Sequence, residues 1–319
     1  MAMRNGDLAT AVIDLARRAV AERPDAAGAW FALSEALWRA GDEDGFAEAF
    51  RQGYLRGHAL SGALQNGEPE DRRARAHALL SRGVRFSRVI ASLGIAEARL
   101  GNSAEVRRLI DYDRFFRTCT AEPPVGQSLE EFHGALRAAI RSDLRHYGTV
   151  PRAIHSGSRA DRLFKRPSEI RDQLLGILQP QIERYIAALP DDDSHPFIAA
   201  RPHDYRIDGW AVVSGDETYH EPHVHGCAWL TGVYYVVQPE ISRRAPPTGW
   251  LRVGPPDFAG TAAEQDWQTR LVEPVPGTIV LMPGYFFHDT APMGIDQERI
   301  CIAFEVEPDE LASPDAARP

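Results

Sequence analysis

The sequence runs to 319 residues with a formal net charge of −9 and three cysteines, Cys119, Cys227 and Cys301. That charge disfavours broad capture of nucleic acid, which needs a basic face to displace counterions. The odd, scattered cysteines make no disulfide framework, and no stretch approaches the roughly 18 uninterrupted apolar residues of a membrane span. A cytoplasmic protein with no nucleic-acid or membrane partner is therefore expected, and its length favours two domains.

From Asp7 to about Ile110 the pattern is helical, with apolar residues at three- and four-residue spacings, broken by Pro24, "AGDEDG" and "QNGEPED". The stretch "PDAAGAWFALSEAL", from Pro24 to Leu37, followed by Gly41, Phe46 and Phe50, resembles a tetratricopeptide repeat. Before it, "AVIDLARRAVAERP" matches the second helix of a preceding repeat; after it, Gly53 to Leu100 is helical but degenerate. Residues 1–110 are thus expected to form a small repeat-like helical domain able to recruit a protein partner, an irregular helical bundle being the plainer alternative.

Residues 111–200 are mixed, with helices predicted at "SLEEFHGALRAAIRSDLRHY" and "PSEIRDQLLGILQPQIERYIAAL". From Arg206 the period changes to two: "RIDGWAVV", "WLTGVYYVV", "GWLRV", "TIVLM" and "ERICIAFEV" are short β-rich runs between Pro/Gly-rich turns. Such strands argue for a sandwich or barrel. The expected fold is α+β: a helical domain over 1–110, then a domain over 111–308 made of a helical buttress (111–200) and a β core (201–308). The polar, proline-bearing tail 309–319 is expected to be disordered.

The densest chemistry lies in "TYHEPHVHGCAWLTG", where three histidines fall within six positions. Residues two apart on a strand share a face, so His223 and His225 can present both imidazoles to one point, while His220 would face away. Pro222, lacking an amide, places the pair at the rim of a sheet. A third ligand should come from another strand. His288 is the candidate, because it follows a turn at Pro276-Gly277, a strand over Thr278 to Met282 and a turn at Pro283-Gly284. Arg299 heads "RICIAFEV", where Arg299, Cys301 and Ala303 alternate with the bulky Ile300, Ile302 and Phe304. The bulky set faces a packing layer, so Arg299 faces the interior, where a guanidinium requires an anionic partner.

Together "HxxHxH … GVYYVV … GWLRVG … PGTIVLMPGYFFH … ERICIAFEV" resembles the 2-oxoglutarate/Fe(II) oxygenases, enzymes built on a double-stranded β-helix (jelly-roll), and the branch that often bears tetratricopeptide repeats ahead of the oxygenase domain. The likeness covers roughly Leu109 to Pro308, including "LIDYDRFF" and "DSHPF". It implies Fe(II) held by His223, His225 and His288, with 2-oxoglutarate chelating the metal and O2 as co-substrate. It also implies an arginine for the far carboxylate of 2-oxoglutarate; Arg299 stands beyond His288 with ten residues intervening. Tyr235 is a candidate hydroxyl donor to the same cosubstrate, and Arg252 either lines the pocket or meets solvent. One departure stands out: most such oxygenases use two histidines and a carboxylate, and His225 occupies the carboxylate's position. Glu221 is the nearest acid that an irregular backbone could bring in as third ligand instead.

The implied activity is hydroxylation of a protein, peptide, amino-acid-like or other small-molecule substrate, with release of succinate and CO2. Two other readings are an inactive metal- or partner-binding scaffold and a cupin-type metal enzyme that does not use 2-oxoglutarate. Against the latter, cupins usually carry a glutamate shortly after the HxH pair, and "GCAWLTG" has none. Cys227 and Cys301 read as small core residues, and "PDDDSHP" as a solvated loop.

Overall fold

The computed structural model describes residues 5–57, 64–65, 67–146, 154–155, 158–215, 219–260, 267–291, 293–294 and 297–309. Apart from Asp309, the tail expected to be disordered lies outside them.

Helices come first, among them α1 (Asn5–Glu22), α2 (Ala27–Arg39), α3 (Glu43–Gly57), α4 (Pro69–Ser81), α5 (Ser87–Arg99), α6 (Ser103–Leu109) and α7 (Tyr112–Phe115). Gly41, with φ +77°, ends α2 in a left-handed residue that costs glycine little, and α3 folds back on α2. The hairpin closes over Leu33, Leu37, Phe46 and Phe50, all buried. A second helix pair, α4 and α5, begins with Pro69 in the first turn, where its missing N–H costs nothing. α5 differs from the others: every residue from Val89 to Ala98 is buried. A helix buried all round is enclosed by structure on every side. Here the helical hairpins lie on one side, through Tyr54 stacked on Phe86 at 4.1 Å. On the other lies the sheet-rich part, through Ser87 Oγ donating to Ala228 O at 2.6 Å.

The remainder is mixed. It holds β1 (Arg117–Thr120), α8 (Leu129–Ser142), β2 (Arg145–His146), β3 (Ile154–His155), β4 (Ser158–Ala160), α9 (Arg162–Lys165) and α10 (Glu169–Ala187). It continues with β5 (Tyr205–Ser214), β6 (Tyr219–His223), β7 (Leu230–Val237), α11 (Glu240–Arg244), β8 (Leu251–Val253), β9 (Arg270–Val272), β10 (Thr278–Pro283), β11 (His288–Thr290) and β12 (Arg299–Pro308). The two long helices fall where the sequence predicts them. Ser128 and Glu131 form a reciprocal capping box that starts α8, and Ser168 caps α10.

The strands form two antiparallel sheets. One has seven strands in the order β1-β10-β7-β12-β5-β4-β2, the other five in the order β3-β6-β11-β8-β9. From β5 to β12 the chain passes back and forth between them: β5, β7, β10 and β12 lie in the larger sheet, β6, β8, β9 and β11 in the smaller. This is the winding of a jelly-roll. The outer face of the larger sheet carries Ile300, Ile302, Phe304 and Val306, all inaccessible to solvent, and α8 and α10 pack over β7 and β10. Its inner face carries Arg299, Cys301, Ala303 and Glu305, which line a cavity of about 470 Å³ together with residues of β6, β8 and β11. Among the described residues, no helix is long and apolar enough to cross a membrane.

Candidate metal and cosubstrate site

β6 and β11 carry the histidines. His223 pairs with His288 directly across the ladder, and His225 follows the end of β6, where its N–H donates to Gly284 O at 2.8 Å. One nitrogen from each of His223, His225 and His288 can be chosen so that all three lie within 4.8 Å of one another. The structure thus brings together the three residues that the spacing picked out.

The hydrogen bonds decide which nitrogen each ring has to offer. His223 Nδ1–H donates to Glu221 O at 2.8 Å and His288 Nδ1–H donates to Phe286 O at 2.9 Å. Carbonyls only accept, so both protons must sit on Nδ1, leaving each Nε2 as a lone pair. His225 Nδ1–H donates to the carboxylate of Glu305 at 2.5 Å. Burial works against the charge of Glu305, but the His225 hydrogen bond prevails and holds its carboxyl below the usual range. All three rings therefore turn Nε2 to the centre, and His225 Nε2 stands 3.2 Å from His288 Nε2. The lone pair of His288 Nε2 at that distance calls for a proton on His225 Nε2 or for a metal ion shared by the two nitrogens. Burial, reinforced by the neighbouring imidazoles, holds His288 well below the usual histidine range and His223 down to about 4, so both rings are neutral ligands near pH 7. Imidazole nitrogens suit Fe(II) among several first-row metals, and the carbonyls and the carboxylate that hold the Nδ1 atoms are the usual outer supports of metal-bound histidines.

Arg299 lies in the same cavity, 2% exposed, with its guanidinium 5.5 Å from the centre of the Tyr235 ring. Its Nε and Nη1 are buried without a hydrogen-bond partner, as is the Tyr235 hydroxyl. A guanidinium cannot shed its charge in a protein, so this site calls for an anion that supplies acceptors. A dicarboxylate reaching from the histidines to Arg299 fits that requirement.

One expectation is corrected. His220 does not face away: it lines the cavity, its ring centre 5.9 Å from that of His223. The cause is a bulge, since Thr290 pairs with His220 while His288 pairs with His223, so two steps on β11 oppose three on β6 and the alternation shifts. Arg252 lies outside the cavity lining, partly open to solvent, and pairs with Asp289 at 2.5 Å. Cys301 belongs to the core and Cys227 packs against it, as expected, and both also border the cavity. Glu221 is exposed and joins the cluster only through its backbone carbonyl. Two residues went unremarked in the sequence. Glu305 was detectable, because it continues the Arg299, Cys301, Ala303 alternation onto the same face. Arg88, which enters the cavity from α5, had no local signal, being far from the histidines in the chain.

An antiparallel two-sheet jelly-roll with three inward-turned imidazoles and an unpaired buried arginine defines a mononuclear metal site with room for an anionic cosubstrate. Residues 208–305 match the model of the family described as "Putative 2OG-Fe(II) oxygenase", and this part of the chain is similar to that family. The enzyme class is that of the 2-oxoglutarate-dependent non-haem iron oxygenases, and the cofactors are Fe(II) and 2-oxoglutarate. Similar solved structures include a Pseudomonas putida prolyl-4-hydroxylase (16% identity, 65% of this chain and 98% of that one, TM-score 0.41). Others are a Trichoplax adhaerens prolyl hydroxylase in complex with a hypoxia-inducible-factor peptide fragment (12%, 70% and 94%, TM-score 0.42) and a Burkholderia pseudomallei oxidoreductase of the 2OG-Fe(II) oxygenase family (13%, 69% and 91%, TM-score 0.38). No curated protein sequence matches the chain.

Proposed function

We propose that His223, His225 and His288 hold Fe(II) through Nε2, and that Arg299 with the Tyr235 hydroxyl takes the far carboxylate of 2-oxoglutarate. The observation that carries this reading is the convergence of three Nε2 atoms in one cavity with a buried guanidinium whose Nε and Nη1 have no hydrogen-bond partner. When bound, the metal and cosubstrate supply the oxidising chemistry, coupling decarboxylation of 2-oxoglutarate to succinate and CO2 with hydroxylation of the substrate. The chain's own contribution is positional. Glu221 O, Phe286 O and Glu305 orient the three rings; Arg299 sets the reach of the cosubstrate; and the apolar Val212, Val233 and Leu251 keep water from the cavity wall. Where relatives place a carboxylate on the metal, this chain has His225 backed by Glu305, so the negative charge stands one ring away.

The orphan arginine counts against both an inactive scaffold and a cupin-type enzyme, since neither has use for a buried cation beside its metal site. For substrate we favour a protein or peptide, with a free amino acid or other small metabolite as the alternative. The helical segment, with two antiparallel helix pairs packed beside the sheets, is the repeat-like platform for that partner. Three free cysteines suit a reducing cytoplasm.

The test is anaerobic Fe(II) titration with and without 2-oxoglutarate, followed by succinate release on admitting air. Tight binding of 2-oxoglutarate only when metal is present, with succinate formed in air, is the expected result. Metal binding without any effect of 2-oxoglutarate would leave the cupin-type reading standing.

A further inference from the structure

The cavity holds a second guanidinium that the metal and 2-oxoglutarate leave unused. Arg88, in the first turn of α5, comes from the helical segment yet lines the same cavity as the histidines and Arg299. Its Nε is buried without a hydrogen-bond partner, and among the described residues it has no ion pair.

Its position is built rather than incidental. Gly226, the residue after His225, has no Cβ, and one placed there would lie 2.3 Å from Arg88 Nε, 2.5 Å from its Cγ and 2.5 Å from the Tyr54 hydroxyl. Only glycine lets the arginine lie across the backbone that carries the metal ligands. The start of α5 is held by the Ser87–Ala228 hydrogen bond and by the Tyr54–Phe86 stack, so the side chain leaves from a rigid point. The phenol beside Arg88 is neutral: burial pushes Tyr54 well above its ordinary range.

None of the cavity's acids is ion-paired with Arg88 or Arg299 among the described residues. Glu305 accepts from His225, Glu307 pairs with Arg206, Asp161 pairs with Arg159, and Asp208 accepts from the N–H of Gly209 at 2.7 Å. Arg299, which is buried, and Arg88, which is half-buried with its Nε out of solvent, thus have no ion-pair partner among the described residues. On the site reading given above, on which this inference rests, Arg299 is answered by 2-oxoglutarate. We infer that Arg88 is answered by the substrate: the substrate carries a carboxylate, Arg88 anchors it beside the metal ligands, and the helical segment therefore supplies part of the substrate pocket itself. A planar guanidinium suits a carboxylate in two-pronged geometry.

A carboxylate can reach the pocket as an acidic side chain of a peptide or as an α-carboxylate. The full chain, loaded anaerobically with Fe(II) and 2-oxoglutarate, is titrated calorimetrically with two probe pairs. One pair is a capped tripeptide with a central glutamate and its glutamine counterpart; the other is free L-leucine and L-leucinamide. At least one carboxylate probe should bind roughly tenfold or more tightly than its amide, the range of a charge-assisted hydrogen bond; the pair that does so names the source. Arg88→Ala should erase the preference and Arg88→Lys should keep part of it, while both variants retain wild-type affinity for Fe(II) and 2-oxoglutarate. Equal binding of acid and amide in both pairs, no binding of either acid, or a preference that survives Arg88→Ala overturns the inference. Wild-type protein that takes up neither Fe(II) nor 2-oxoglutarate fails before any probe is added, which marks the site reading as the one that fell.

Discussion

A histidine whose Nδ1 already donates to a carbonyl has one nitrogen left to give, and the direction of that nitrogen is set by the donor bond on the other side of the ring. His223 and His288 are held in this way, so each should be indispensable to the metal and dispensable to the fold. Replacing either with alanine is expected to abolish tight Fe(II) binding, read as iron content after gel filtration, with an unchanged circular dichroism spectrum; wild-type iron in both variants would remove them from the site. Arg299→Ala should behave differently. It keeps iron but raises the 2-oxoglutarate concentration needed for half-maximal decarboxylation roughly tenfold or more, since a charge-assisted carboxylate pair contributes about 1.5–3 kcal/mol. Unchanged dependence on 2-oxoglutarate would direct attention to another base. At this scale the sequence was informative wherever a residue's role followed from its strand alternation, as for His223, His225 and Arg299. It was silent where a bulge broke the alternation, as at His220.

Among the elements, β12 does most to organise the site. It pairs with β5 along its whole length and with β7 on its other side, so Arg299 and Glu305 hold fixed heights on the cavity wall. Its outward residue Phe304 lies against Gly232 of β7, where an added Cβ would meet Phe304 Cζ at 2.2 Å and Val280 O at 2.6 Å. The ring can swing aside but the carbonyl of β10 cannot, because it belongs to the ladder. Gly232→Val is therefore expected to destabilise the protein by about 1–3 kcal/mol, the usual cost of overpacking, seen as a lower urea midpoint with the slope unchanged. A midpoint within error of wild type would mean that the β7–β12 contact is looser than described. The strands carrying this contact were all evident from their period-two runs. β2, β3, β9 and β11, two or three residues long, were not, because a strand so short has too few alternations to stand out.

Across the whole molecule α5 is shared property. The sequence reading expects 1–110 to be separable, yet Tyr285 donates to Leu109 O at 2.6 Å, and Trp267, 1% exposed, packs over Gly94. Removing residues 1–110 would bare Trp267, Tyr285 and their neighbours, and exposing each large apolar side chain costs about 1.5–3 kcal/mol against a total stability of about 5–15 kcal/mol. The chain starting at Asp111 is expected to be insoluble. One starting at Pro24, which sheds only α1, where Ala16 alone of the described side chains is buried, is expected to stay folded and to decarboxylate 2-oxoglutarate. A soluble, active chain from Asp111 would restore the simpler division between a recruiting half and a chemical half.

Stability should also depend on acidity through His195, buried at the junction of α6 and the sheets. Its Nε2–H donates to Arg108 O, and Nδ1 accepts from the N–H of Phe197. Burial, with Arg108 nearby, depresses it to about 4. An unfolded chain takes up that proton near the ordinary value of about 6.5. The contribution is thus whole above that pH, is lost progressively as pH falls from there towards 4, and changes no further below. Urea midpoints at pH 7 and pH 5 should show a steeper loss in wild type than in His195→Gln; equal losses would assign the acid sensitivity to other groups.

The residues by themselves determined that this chain has a helical first part, a β-rich second part, and three histidines, His223, His225 and His288, that meet where they could hold a metal ion. Those features are written locally, in three- and two-residue periods and in a turn-strand-turn that delivers a histidine. Only the tertiary structure decided that Glu305 stands behind His225, that a bulge turns His220 inward, and that Arg88 crosses from the helical part to the histidines over Gly226. Each of these depends on backbone segments brought together from far apart in the chain, and the cost of a clash or of an unpaired buried charge is felt only once they meet.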